Sequence, residues 1–199
     1  IGQKAFYQCT SLDALDLSHT QVTTIGQWAF RECSAITSIL LPDGITSLGA
    51  NAFRNCSLLT ALDLSGATMT EIPNSMCEGC TALSSILLPA TVTDIREKAF
   101  KDCSALKQIE LPKGVATIGD NAFAGCSKLN AIRVLGDKPA TLGTGTFHKH
   151  DGLKIYVPAG KAADYKAAWS EYADYIVEGI PNIKKVVTVS KVGELADSL

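Results

Sequence analysis

Residues 99–112 read AFKDCSALKQIELP, and most of the chain repeats this phrase. A core of the form Phe-x-x-Cys-x-x-Leu recurs and is followed each time by Leu-x-x-Ile-x-Leu or a close variant. The cysteine position advances by 24, 23, 24, 23, 23 and 24 residues. The seven copies of the core are Phe6/Cys9/Leu12, Phe30/Cys33/Ile36, Phe53/Cys56/Leu59, Cys77/Cys80/Leu83, Phe100/Cys103/Leu106, Phe123/Cys126/Leu129 and Phe147/His150/Leu153.

Each repeat predicts one short strand with one buried face. In the fifth unit the alternation places Ile109 and Leu111 on one side and Glu110 on the other. A single strand of this length cannot bury its apolar face alone, so neighbouring units must stack and their strands must form one parallel sheet. A second apolar set, such as Val115 and Ile118, supplies the opposite wall of the core, and the Phe column fills a corner. The repeat therefore predicts a solenoid.

The repeat resembles the BspA-like leucine-rich repeats found in Bacteroides-type surface proteins, and residues 106–126 (LKQIELPKGVATIGDNAFAGC) are close to a consensus unit. The resemblance implies an α/β leucine-rich-repeat solenoid of right-handed sense. In such a solenoid a single parallel β-sheet lines the concave face, the convex side is mostly β or irregular, and a C-terminal helix caps the array.

The pattern divides the chain into three parts. Residues 1–158 hold about seven units of 23–24 residues and open in the middle of a unit, which predicts an N-terminally truncated array. Residues 159–180 form a helical C-terminal cap, and residues 181–199 are the start of a further, truncated module. The aromatic stripe expected on the buried side of the cap helix is Ala162, Tyr165, Trp169, Tyr172 and Ile176.

Composition excludes several classes of function. The chain has a net charge of −2, with 46% hydrophobic and 19% charged residues, so it carries no basic excess for nucleic acid. Its apolar runs are too short for membrane insertion. No motif for a catalytic triad, a phosphate loop or a cofactor occurs, so we expect no catalytic residues, no metal and no cofactor.

The seven cysteines are predicted to be a ladder of small buried thiols, because six share one repeat position. Equivalent residues on stacked strands lie ~4.7–4.9 Å apart, which is too far for a disulfide. Cys77 replaces the Phe of its unit, with Met76 expected to fill the gap. The Cys77-Cys80 spacing also fits a redox or zinc site, and His148 with His150 could place two imidazoles together. Neither has an evident further ligand.

The exposed central positions of the strands are the candidate binding site, because leucine-rich repeats usually bind through this surface. Its acids recur every 47 residues, which places them roughly 10 Å apart if units are spaced as strands are. That separation exceeds the ~6.5–9.5 Å of an inverting glycosidase pair. The column consists of Asp16, Leu40, Asp63, Leu87, Glu110, Arg133 and Tyr156.

We therefore expect a non-enzymatic recognition or adhesion module of an exported bacterial cell-surface protein. The partner would be a protein, such as a host extracellular-matrix or cell-surface protein, bound through the concave sheet; the extracellular location and the adhesion follow from the family resemblance alone. A structural spacer that presents a downstream domain is the main alternative, and a carbohydrate-active or metal-dependent enzyme is the third. The pattern makes no prediction of the oligomeric state.

Overall fold

The computed structural model describes residues 1–181. It confirms the predicted solenoid: about seven turns of parallel strands with a helix near the C-terminus. The first strand of each turn belongs to a series that we call the first strand series. It comprises β1 (Ala14–Asp16), β3 (Ser38–Leu40), β5 (Ala61–Asp63), β7 (Ser85–Leu87), β9 (Gln108–Leu111), β11 (Ala131–Val134) and β13 (Lys154–Val157).

The opposite wall of the core is also built of strands, which the sequence did not predict. Each of these strands is two residues long and pairs in parallel with its neighbour, except between the second and third. This second strand series comprises β2 (Thr24–Ile25), β4 (Ser47–Leu48), β6 (Glu71–Ile72), β8 (Asp94–Ile95), β10 (Thr117–Ile118) and β12 (Thr141–Leu142).

The first strand series is divided, whereas the sequence predicted one continuous sheet. Its hydrogen-bonded sheets are β1-β3, β5-β7 and a four-stranded sheet that begins at β9. Single backbone bonds just outside the strands continue across the breaks, since the Thr60 amide donates to the Thr37 carbonyl at 3.2 Å and Lys107 to Ser84 at 3.5 Å. Strands of three residues make few ladder bonds, so the series keeps its register with less regular pairing.

A third side of the solenoid carries the Phe-x-x-Cys cores as a run of turns. Two residues in nearly every core adopt positive φ, as Asn51 (59°) and Asn55 (60°) do in the third unit. The amides of Asn51, Phe53 and Asn55 each donate to a carbonyl of the next unit, at 2.9, 2.9 and 2.8 Å. Backbone hydrogen bonds therefore join successive turns on all three sides of the core.

Phe rings and thiols fill the corner behind these turns. Phe6, Phe30 and Phe53 stack with ring centroids 5.0 and 5.5 Å apart, and a second stack runs from Phe100. Cys77 interrupts the two stacks, and the neighbouring Met76 is fully buried where other units carry a small alanine. This placement fits the predicted local repacking.

Residues after the last repeat close the array. Helix α1 spans Ala162–Ala168, a 3-10 helix spans Ser170–Tyr175, and β14 (Ile176–Glu178) pairs in parallel with β13. The cap helix is thus shorter than its aromatic stripe predicts, because the chain leaves α-helical geometry at Trp169 (φ −108°, ψ 50°) and Ile176 lies in a strand. The open edge of β13 is satisfied by this strand pairing.

Aromatic side chains fix the cap to the last units through their polar ends. Tyr165, Trp169 and Tyr172 are almost fully buried. The Tyr165 hydroxyl lies 2.8 Å from the Gly136 carbonyl, and the Trp169 indole donates to the Ala140 carbonyl at 2.7 Å. Burial raises the pKa of Tyr165 to about 12. In residues 1–181 no helix has the length and apolar character to cross a bilayer. The predicted further module lies outside the described residues, apart from Pro181.

Close packing between turns requires glycine at a repeated position. A Cβ on Gly49 would lie 2.2 Å from the Gln27 amide nitrogen, whereas a Cβ on Gly114 would meet nothing closer than 3.5 Å. We predict that Gly49→Ala destabilises the fold by ~1–3 kcal/mol through overpacking. Gly114→Ala should be neutral or stabilise the fold by up to ~1 kcal/mol, because alanine restricts the unfolded chain. Urea unfolding of both variants checks this, and equal stabilities would contradict the packing described.

Candidate functional site

The register of the first strand series aligns the predicted binding column. Asp16 lies beside Leu40, and Asp63 lies beside Leu87. Arg133 has Glu110 on one side and Tyr156 on the other. All seven column positions point away from the core and are exposed or half-buried. We call this column the first-strand face.

The two halves of the first-strand face differ in charge. Glu110 and Arg133 form an ion pair in which only 23% and 15% of the side chains are exposed. The pair neutralises the C-terminal half at its centre. Asp16 and Asp63, in the N-terminal half, take part in none of the ion pairs within residues 1–181.

A groove of about 440 Å³ opens in the N-terminal half and contains three of the predicted residues, Asp16, Leu40 and Asp63. Apolar side chains of the second unit and its neighbours form its floor, and polar groups line its rim. The apolar lining residues are Ile39, Leu40, Leu41, Pro42, Ile45, Leu64 and Ala67, and the polar rim comprises Asp16, Ser18, His19, Asp43, Asp63 and Ser65, with Gly66 beside them.

The groove follows from unequal turn lengths. Ala14 pairs with Ser38 at a step of 24 residues, but Thr24 pairs with Ser47 at a step of 23, so the first unit has an extra residue between its two strands. The third unit shows the same difference. The second unit therefore has a shorter turn than either neighbour, and the groove lies over this shorter turn. The cysteine spacings contain the order long, short, long once.

Hydrogen bonds hold the carboxylates of the rim in place. Asp16 accepts from the Ser18 amide at 2.8 Å and from its hydroxyl at 2.6 Å, and these bonds lower the pKa of Asp16. Asp63 accepts from the Ser65 amide at 2.8 Å. Each is an Asx turn at the end of a strand. The carboxylates are therefore ionised and pre-oriented at neutral pH.

Sequence reasoning missed His19, Asp43 and Gly66, which complete the groove. Gly66 is required beside Asp43, because a Cβ there would lie 2.0 Å from the Asp43 Oδ1 atom. The signal that could have found them is the alternation of 24- and 23-residue units. It marks where a short turn lies between two long ones. Leu87, Glu110, Arg133 and Tyr156 lie outside the groove.

Comparison with known families decides the classification. The sequence model described as "BspA type Leucine rich repeat region (6 copies)" matches residues 1–130 and 70–195. The chain belongs to this family. No curated protein matches it.

Solved structures with similar folds are bacterial leucine-rich repeat proteins. A T. pallidum leucine-rich repeat protein is 31% identical, with a TM-score of 0.64, and the match covers 77% of this chain and 70% of that one. A leucine rich cell surface protein from Faecalibacterium prausnitzii is 24% identical, with a TM-score of 0.48 and coverage of 78% and 57%. A leucine-rich repeat protein from Bacteroides ovatus is 23% identical, with a TM-score of 0.44 and coverage of 89% and 63%.

The cysteines of this BspA-type array are hydrogen-bonded thiols. All seven are free, and six are fully buried. The thiol of each donates to a carbonyl one unit earlier, as Cys56 does to Phe30 at 3.1 Å and Cys80 to Phe53 at 3.0 Å. Burial raises the pKa of Cys77, and it raises that of Cys126 to about 12. The Cys77-Cys80 pair is thus part of the core ladder and is poorly suited to bind metal.

The histidines of the last BspA-type unit also have structural partners. His150 Nε2 lies 3.1 Å from the Leu129 carbonyl, and the Gly152 amide donates to His150 Nδ1 at 3.2 Å. Since Nδ1 accepts, the proton is on Nε2, and both ring nitrogens are engaged. Within the described residues, no group of three or more His, Cys, Asp or Glu side chains could hold a metal ion.

The raised pKa values predict low thiol reactivity. At mildly alkaline pH the buried cysteines stay protonated, so iodoacetamide should modify the half-buried Cys9 and leave Cys77 and Cys80 unmodified. Peptide mass mapping of the native protein checks this, with the denatured protein as the control in which all seven react. Native modification of Cys77 at the rate of Cys9 would contradict the buried ladder.

Proposed function

We propose that the chain is a non-enzymatic recognition module that binds a protein partner through the first-strand face, with the groove as its anchor. The observation that carries the proposal is the groove itself. Its volume of about 440 Å³ lies within the ~300–1,000 Å³ of ligand sites, and it combines an apolar floor with a few oriented polar groups. The rest of the face provides an extended surface beside it.

Placement on the outside of a bacterial cell is part of the same proposal. The BspA-like resemblance supports an exported, surface-attached protein whose partner is a host extracellular-matrix or cell-surface protein, and adhesion is then the role of the binding. The fold by itself does not give this function.

A catalytic role has less support. Asp16 and Asp63 lie on β1 and β5, two units apart, and each carboxylate is engaged by the serine two residues later. Such acids are suited to orient a ligand charge, and no base or nucleophile of the groove faces them in a hydrogen-bonded set within residues 1–181. We therefore propose binding without chemistry.

A structural spacer remains the second candidate because one observation favours it. Backbone hydrogen bonds join the turns on three sides, and the Glu110–Arg133 pair satisfies the centre of the C-terminal half. A stiff rod with an inert face has these properties.

Substitution of the first-strand face separates the two candidates. Leu40→Thr, Asp63→Asn and Leu87→Thr change the face with residues that strands tolerate. We predict that a host matrix protein or glycan captured by the wild-type protein on an array binds the triple variant at least tenfold more weakly, with urea unfolding little changed.

The matched control carries Ser47→Ala, Glu71→Gln and Thr117→Ala on the second strand series. This control should bind as the wild-type protein does. Loss of binding in the control with retention in the face variant would contradict the proposal, and a folded protein that binds nothing on the array would favour the spacer.

A further inference from the structure

We propose that the groove accepts a basic side chain, Lys or Arg, from an extended segment of the protein partner. This inference rests on the proposed recognition function and specifies the chemistry of its anchor. The occupant must place aliphatic carbon on the floor and a positive charge at the rim, and the long basic side chains are the residues that do both.

The floor suits an aliphatic stem. Leu40 and Leu41 are half-buried and stay partly accessible within the groove, while Ile39, Ile45 and Leu64 are buried beneath them. Contact with the stem would cover apolar surface that the fold leaves open to water.

The rim suits a positive charge. Asp16, Asp43 and Asp63 come from three successive units and are all exposed. No ion pair within residues 1–181 involves any of them. His19 is the only rim residue that can carry a positive charge. A cationic partner group would therefore complement three carboxylates that the protein itself leaves without an ion pair.

Other acids on the strand series lack this property. Glu71 pairs with Arg96 at 2.8 Å, Glu110 pairs with Arg133, and Asp94 accepts from the hydroxyls of Thr93 and Thr117. The groove thus differs from the remainder of the strand surface by its unpaired acids as well as by its depth.

The test titrates the whole chain with a probe peptide, acetyl-Leu-Lys-Leu-amide, and follows the methyl signals of Leu40, Leu41 and Ala67 by NMR. The comparison peptide carries norleucine in place of lysine and has the same length without the charge. We expect the lysine peptide to shift these methyl signals. Its affinity should exceed that of the norleucine peptide by roughly fivefold or more and should fall as salt is raised.

The deciding variant is Asp16→Asn, Asp43→Asn and Asp63→Asn. Asparagine keeps the Oδ1 acceptor of the Asx turns, so the fold is preserved while the charge is removed. Affinity for the lysine peptide should fall roughly tenfold. The matched control, Glu71→Gln, Glu97→Gln and Asp137→Asn, removes the same charge elsewhere and should keep the wild-type affinity.

Three results would overturn the inference. They are equal affinity for the norleucine peptide, equal loss in the charge-matched control, and methyl shifts of the same size with spermidine or Mg²⁺, which would show a non-specific cation effect. The proposed function fails separately. If an array protein binds through Leu40 and Leu87 but is insensitive to the asparagine variant, recognition stands and the basic anchor is wrong.

Discussion

Everything in this structure depends on the backbone hydrogen bonds between successive turns. They are made on three sides of the core, between the first strands, between the second strands and between the turns that carry the cysteines. Because each bond joins residues 23 or 24 positions apart, every side chain lies above its counterpart in the preceding unit. The requirement for the same residue type at each level follows: a ring stacks on a ring, and a thiol reaches the same carbonyl.

The same constraint makes small departures visible at the surface. A single additional residue between the strands of a unit cannot be absorbed by the rigid core, so it appears as a longer turn. Where two longer turns flank a shorter one, the chain leaves a groove whose floor is core-like and whose rim carries the carboxylates of three units. Recognition can thus arise from a length difference while the core repeats without change.

Sequence predicted the fold and the column well, because strict spacing and alternation fix both. It did not predict the groove, since depth depends on the turn lengths of three adjacent units, and Asp43 and His19 lie in turns outside the strand pattern. The cap was predicted in its buried residues but not in its geometry. Helical spacing of Tyr165, Trp169 and Tyr172 fits an α-helix and a following 3-10 helix equally, while the unpaired edge of β13 draws Ile176 into a strand.

The most direct measurement is the affinity of a variant in which one serine is inserted between Pro42 and Asp43. The insertion gives the short turn the length of its neighbours, in a surface turn that can accept it without rebuilding the core. The account predicts a folded protein, with unfolding close to that of the wild type, that no longer binds the lysine peptide or the captured array protein. Unchanged binding by a folded insertion variant would contradict the claim that the groove is the recognition site.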